Sequence, residues 1–279
     1  MPREKKYRSI FISDIHLGLS DWQADILSHF LKHNRAENVY LVGDIIDCWK
    51  LKRRWYWPQS HAHLVRRILK LSEKSNVVYI PGNHDEIVRQ FLGISFGKIE
   101  IVNELIHVTA DGKRLLVCHG DKFDSIVLHN RLLTHCGAVG YELLLKLNAV
   151  VSGIRRKLGC TSHWSLSSYV KSRVKSAVKY VTSFEDLLID YARRNGADGV
   201  VCGHLHQPAI YRRNGLLYCN CGDFVESMSL LVEHHDGRME LLYFLDYAAT
   251  ETGDEQILEY VHQPSEDDHA DLHTTYPKA

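Results

Sequence analysis

Two periodicities alternate along the first third of the chain. Tyr7–Ser13 is a β-rich run that ends at Asp14. Trp22–His33 has helical spacing, with Trp22, Ile26, Leu27, Phe30 and Leu31 on one face. Val39–Val42 is a short apolar run that stops at Gly43-Asp44. His63–Ser72 is again helical, and Val77–Ile80 stops at Pro81-Gly82-Asn83. Strand, helix, strand, helix, strand predicts a parallel sheet. Each strand ends on a polar residue, and α/β folds place ligands at such carboxyl ends. From Ile99 onward the pattern changes. Asp111-Gly112, Asn214-Gly215 and Asp236-Gly237 each separate two β-rich runs, and these dipeptides favour tight hairpins. Antiparallel strands are therefore expected over Ile99–Cys118 and Val200–Phe244. A helical insertion over residues 127–195 lies between them. The reading is an α/β (α+β) fold of two mixed sheets packed face to face, with helices outside.

Composition narrows the class without naming it. The 279 residues are 45% hydrophobic and 24% charged, as in an ordinary globular domain and unlike a collagenous, wholly disordered or disulfide-built chain. The opening residues carry charge but no apolar stretch behind it, so a secretory signal is not expected. The longest apolar run, Leu143 to Ile154, is too short and too interrupted to span a bilayer. Seven cysteines without a C-x-x-C pair read as reduced thiols in a cytoplasmic protein. Cys219-Asn220-Cys221 leaves open a metal or redox pair beside a strand with both thiols on one face. Formal charge is zero, with 34 basic and 34 acidic residues. That balance hides a division. Residues 246–279 hold nine acidic residues and one Lys, so the remaining 245 hold 33 basic and 25 acidic. A basic body precedes an acidic tail expected to be mobile.

Five motifs fall on the strand ends: Ser13-Asp14-Ile15-His16, Gly43-Asp44, Gly82-Asn83-His84-Asp85, His119-Gly120-Asp121 and Gly203-His204-Leu205-His206. If Asp14 and His16 are extended, they point to one side, and the same holds for His204 and His206. Together the motifs offer two Asp, one Asn and four His as metal ligands. Imidazole mixed with oxygen suits Mn, Fe or Zn. Seven donors exceed one tetrahedral site and fit two cations with one shared carboxylate, the usual clamp for phosphate-ester hydrolysis. A lone Asp-x-His or Gly-Asp is ordinarily a loop or turn; the five in order are not.

In order and approximate spacing the motifs resemble the signature of the calcineurin-like metallophosphoesterases, over about Tyr7 to Phe244. The resemblance implies a four-layer αββα sandwich forming one domain, 1–245, with the insertion as a helical cap. It implies one metal held by Asp14, His16, Asp44 and His206, and a second by Asp44, Asn83, His119 and His204, with manganese the usual ion. It gives His84 the role of general acid or transition-state donor and Asp85 the role of orienting its ring.

The insertion bears on substrate. From Leu143 to Phe184 there are eight Lys or Arg and no Asp or Glu. Lys171, Lys175 and Lys179 repeat at helical spacing, and like charges so placed weaken an isolated helix. A solvated basic face and a surface for an anionic partner both fit. Lys50–Trp57 is a second basic and aromatic segment. Within the superfamily this arrangement resembles the UDP-2,3-diacylglucosamine diphosphatases of lipid A synthesis. That implies a cytoplasmic enzyme peripheral on the inner membrane and a nucleotide-diphospho-lipid substrate. Asp124, Lys171 and Lys175, together with Asn83 and His84, become candidates to touch it. Leu143–Leu145, Leu147, Val150, Val151, Ile154 and Leu158 offer an apolar groove for acyl chains, or the cap's own core. At one position the chain departs from that group: His84 stands where its best-known members have Arg. The alternatives are a nuclease or nucleotide phosphodiesterase on the same fold, or a non-catalytic membrane-surface scaffold. Nucleic acid is disfavoured because no aromatic platform for single strands accompanies the basic residues.

Overall fold

Residue alternation along the central strands determines the layering. In the computed structural model, residues 5–19, 22–124 and 166–244 are described, with backbone alone at 22 and along 166–179. β1 (Lys5–Ile12) and β2 (Asn34–Val42) pair in parallel, and β2 pairs in parallel with β3 (Asn76–Ile80). Ile10, Ile12, Val39, Leu41 and Val77 face one side of this sheet, where they join Leu27, Phe30, Leu64 and Ile68 in a buried cluster. Those last four come from helices α1 (Trp22–His33) and α3 (Gln59–Leu71). Phe11, Tyr40, Val42, Val78 and Ile80 face the other side and pack with Leu115, Val117, Val201 and Cys219 of a second sheet. The period of two thus builds one core under the helices and another between the sheets.

The remaining strands are β4 (Ser95–Phe96), β5 (Ile99–Ile101), β6 (Glu104–Val108), β7 (Arg114–Cys118), β8 (Gly199–Cys202), β9 (Ala209–Arg213), β10 (Leu216–Asn220), β11 (Ser229–Glu233) and β12 (Met239–Tyr243). The first sheet runs β12-β11-β1-β2-β3-β5-β4 and the second β6-β7-β8-β10-β9. All three dipeptide turns sit where the hairpins were expected, joining β6 to β7, β9 to β10 and β11 to β12. The later strands are not uniformly antiparallel, however. β5 runs parallel to β3, and β8 runs parallel to both β7 and β10. A tight-turn signal reports only the pair that it joins. Strands brought together by a long connection follow the crossover rule instead.

A short helix, α2 (Cys48–Arg53), follows β2 and buries none of its residues. The last helix, α4 (Leu166–Arg194), precedes β8. In its final turn Tyr191 donates its hydroxyl to Glu104 of β6 at 2.6 Å, and Arg193 donates to the Asn214 carbonyl. The chain divides into two compact units, Met1–His119 with Tyr191–Ala279, and Gly120–Asp190. The expected apolar groove between 143 and 158 and the acidic tail 246–279 lie outside the described residues. Among the described residues, no helix is long and apolar enough to cross a membrane.

A buried polar network fastens the two sheets to each other. Glu233 on β11 accepts from Arg8 at 2.7 Å, Ser9 at 2.6 Å and the Ala110 amide at 2.8 Å, and lies 2.8 Å from His107 Nε2. The Tyr40 hydroxyl is 2.9 Å from His107 Nδ1. Burial opposes the Glu233 carboxylate, but its donors more than offset that and hold its pKa at about 2. Burial and the nearby Glu233 push the Tyr40 hydroxyl up to about 12, so it stays protonated and donates to His107.

Candidate metal centre

Five strand ends converge. Asp14 and His16 follow β1, Asp44 follows β2, and Asn83 and His84 follow β3. His119 follows β7, while His204 and His206 follow β8. Three strands of one sheet and two of the other therefore supply all seven expected ligands and His84 from their carboxyl ends.

Asp14, His16 and His206 bring one ligand atom each within 4.8 Å of one another, and so do Asp44, His119 and His204. A third such group joins His16 and Asp44 to His84. Asp44 belongs to two of the three groups. His206 Nε2 lies 3.1 Å from Asp14 Oδ1, and His119 Nε2 lies 3.4 Å from Asp44 Oδ2.

The backbone that achieves this is left-handed. Asp14, His16, Asp44, His204 and His206 all have φ between 51° and 68°. The expectation that extended Asp-x-His and His-x-His pairs present both side chains on one side is therefore corrected. Alternation requires β backbone, and these residues have left it. Each such residue costs on the order of 1–2 kcal/mol. Neighbouring loops fix the conformation. The Asp14 amide donates to Gly43 O, the His16 amide to Asp44 O, the His204 amide to Asp14 Oδ2 at 2.9 Å, and the His84 amide to Asp44 Oδ1 at 2.8 Å. Gly82 is required by space: a Cβ there would lie 2.2 Å from Asp44 Oδ1.

Whether cations fit can be judged from the polar atoms. His16 Nε2 and Asn83 Oδ1 are buried yet make no hydrogen bond. Such atoms are costly unless something binds them. His119 donates through Nδ1 to Val42 O at 2.9 Å, and His16 Nδ1 lies 3.4 Å from Asp47 Oδ2. Both contacts orient Nε2 toward the cluster, as outer-shell partners of metal-binding His do. Burial opposes the charge on Asp14 and Asp44, but the adjacent His206 and His119 lower both pKa values. Burial lowers that of His16, which favours the unprotonated ring a cation needs. An oxygen and imidazole set with orphaned, inward-facing atoms fits divalent cations.

The geometry revises the role given to Asp85. Its hydrogen bonds go to groups other than the His84 ring. It accepts from Gly82 N at 2.6 Å, Ile45 N at 2.8 Å and the Tyr79 hydroxyl at 2.5 Å. It is a wholly buried brace for the loops after β2 and β3. Burial raises its pKa, and burial beside Asp85 also raises that of Tyr79. The carboxylate facing His84 is that of Asp47, with Oδ1 3.2 Å from His84 Nδ1. Asp47 also caps α2, accepting from the Lys50 amide at 2.8 Å. With no apolar stripe to mark α2, the sequence carried no signal for this capping role. Trp49 completes the surroundings: its ring lies 4.1 Å from that of His84 and is 47% exposed. Asp124 receives the Tyr180 hydroxyl at 2.6 Å within the second unit. Lys171 and Lys175 lie on α4, but their side chains are outside the described set.

Clustered carboxylates, imidazoles and an amide at the strand ends of a two-sheet sandwich define a metal-dependent hydrolase class. The family profile described as calcineurin-like phosphoesterase matches residues 7–208, and the chain belongs to that family. It is a hydrolase acting on phosphate ester or anhydride bonds. It is 28% identical over 214 residues to the UDP-2,3-diacylglucosamine hydrolase of Blochmanniella pennsylvanica, covering 73% of this chain and 80% of that one. The enzyme of the same name from Neisseria gonorrhoeae is 24% identical over 77% of this chain and 89% of its own. Among solved structures, vacuolar protein sorting 29 of Cryptosporidium parvum covers 92% of this chain and 97% of its own at 12% identity, with a TM-score of 0.44.

Proposed function

We propose that the protein hydrolyses the diphosphate of UDP-2,3-diacylglucosamine to UMP and 2,3-diacylglucosamine 1-phosphate, as a peripheral enzyme on an anionic membrane. The observation that carries the reading is the pair of ligand groups at one edge, one through Asp14, His16 and His206 and one through Asp44, His119 and His204. With Asp44 as the shared carboxylate and Asn83 as a further ligand, these residues would hold two divalent cations, with manganese the ion of choice. When bound, the ions neutralise phosphoryl charge and lower the pKa of a water molecule. The chain's own residues do the rest. His84 is 23% exposed, with Nδ1 held against Asp47. Its other nitrogen is the group to donate a proton to the leaving phosphate or to a phosphoryl oxygen. Asp47 positions that ring. The insertion serves as the cap that receives the acylated sugar, with Asp124, Lys171 and Lys175 as its polar contacts.

His84 supports a second reading, hydrolysis of another lipid-linked or nucleotide diphosphate, because that group's best-known members carry Arg there. A panel of nucleotide-sugar diphosphates, diacylated and not, separates the two. Manganese-loaded protein is expected to release UMP from the diacylated substrate, and Asp44→Ala to lose both metal and activity. Protein inert on that substrate but active on an unrelated phosphodiester overturns the first reading.

A further inference from the structure

The helical layer holds a second concave feature that the metal centre does not use. Helices α1 and α3 pack side by side, and the groove between them has a volume of about 490 Å³. Six of its eight lining residues are cationic or imidazole: His29, Lys32, His63, Arg66, Arg67 and Lys70. One acid, Asp25, joins them. All belong to the first compact unit.

Three features point to an anion. Lys32, Arg66 and Lys70 are exposed, and four Lys or Arg line the groove against one acid, Asp25. The lining therefore carries a net positive charge. Arg67 is half-buried and donates through Nε to Ser28 Oγ of the facing helix at 3.2 Å. That contact holds the planar guanidinium in the groove and leaves its terminal nitrogens for a two-pronged acceptor. Finally, the helix dipole accounts for Lys32 and Lys70, which lie in last turns, but not for His63, Arg66 and Arg67 earlier in α3. Like charges crowded on two adjacent helices disfavour the fold, and a bound anion offsets that.

We propose that this groove binds a phosphate-bearing anion of at least two negative charges, gripped by Arg66, Arg67 and Lys70 on one wall and Lys32 on the other. Arginine forks match phosphate oxygens, and the volume is that of a small-molecule site. The lining has no aromatic ring other than imidazole on which nucleic-acid bases would stack. A ligand there ties together the helix that follows the Asp14–His16 loop and the one that leads into β3.

The test is calorimetric titration of the full-length protein with inorganic pyrophosphate. Asp44→Asn is run alongside, so that binding at the metal centre is subtracted. Saturable, salt-sensitive binding is expected. The double variant Arg66→Ala/Lys70→Ala should weaken it about tenfold or more, the loss expected when charge-assisted contacts go. Lys50→Ala/Lys52→Ala, elsewhere on the surface, should leave it unchanged. Sedimentation with phosphatidylglycerol vesicles identifies the source. Vesicle binding that depends on Arg66 and Lys70 and is displaced by pyrophosphate makes the ligand a lipid headgroup. Pyrophosphate binding without it makes the ligand a free phosphate compound. Absence of saturable binding, or an unchanged affinity in a double variant that retains its helical circular dichroism, overturns the proposal.

Discussion

At the residue scale, two buried carboxylates divide the work that the sequence suggested for one. Asp85 braces loops through backbone amides and Tyr79, whereas Asp47 faces His84 and His16. The consequences of removing them should separate. Asp47→Asn is expected to lower kcat about 10- to 100-fold, to shift the pH–rate profile through His84 and to weaken metal affinity through His16. Asp85→Ala is expected to cost about 2–4 kcal/mol of stability, because it strands buried amides and the Tyr79 hydroxyl. Denaturant titration and metal analysis on both variants check this. Equal losses of stability with no change in the pH profile would remove Asp47 from the chemistry. The convergence of the candidate ligands was legible in the sequence because Asp, Asn and His recur at strand ends. Their presentation was not, since a left-handed φ at a non-glycine residue leaves no mark on composition or periodicity.

At the element scale, local signals worked where local forces decide. Helix α1 was visible because one apolar face repeats through Ile26, Leu27, Phe30 and Leu31, and each of these is buried. The three hairpins were visible because their turns demand particular dipeptides. Helix α2 was hidden for the complementary reason: with no buried residue it has no apolar stripe. The parallel pairing of β8 with β7 and β10 was hidden because long connections decide it. The Glu233 network makes an element-scale expectation. Its folded pKa, about 2, lies below the ordinary 4.5, so its contribution to stability is complete above about pH 4.5. It is lost as the pH falls toward 2. By linkage it is worth on the order of 2–3 kcal/mol. Glu233→Gln should lower stability at neutral pH and flatten the acid limb, as followed by urea midpoints from pH 7 to about 3. An acid limb as steep as wild type would place the pH sensitivity elsewhere.

At the scale of the whole molecule, the division of charge matters more than its sum. The body carries 33 basic against 25 acidic residues, while residues 246–279 carry nine acidic and one basic. A basic body attracts anionic surfaces, and an acidic segment tethered to it competes for them. Truncation after Phe244 is expected to raise the fraction sedimenting with anionic vesicles several-fold at low salt. The difference should fade as ionic strength rises. Equal sedimentation with and without the segment would make it a bystander.

The metal centre has one more consequence, which concerns chain connectivity. Its candidate ligands come from positions as far apart as 14 and 206, at the ends of strands of two different sheets. Cations held there would act as cross-links that close long loops, as a clasp shuts the open end of a book. Ligand-linked stabilisation grows with the logarithm of free metal, about 2.7 kcal/mol at one hundred times Kd. The thermal midpoint should therefore climb steadily with manganese, fall on adding a chelator, and ignore both in Asp44→Ala. A midpoint indifferent to metal in the wild type would mean that the clasp is already shut by the backbone alone.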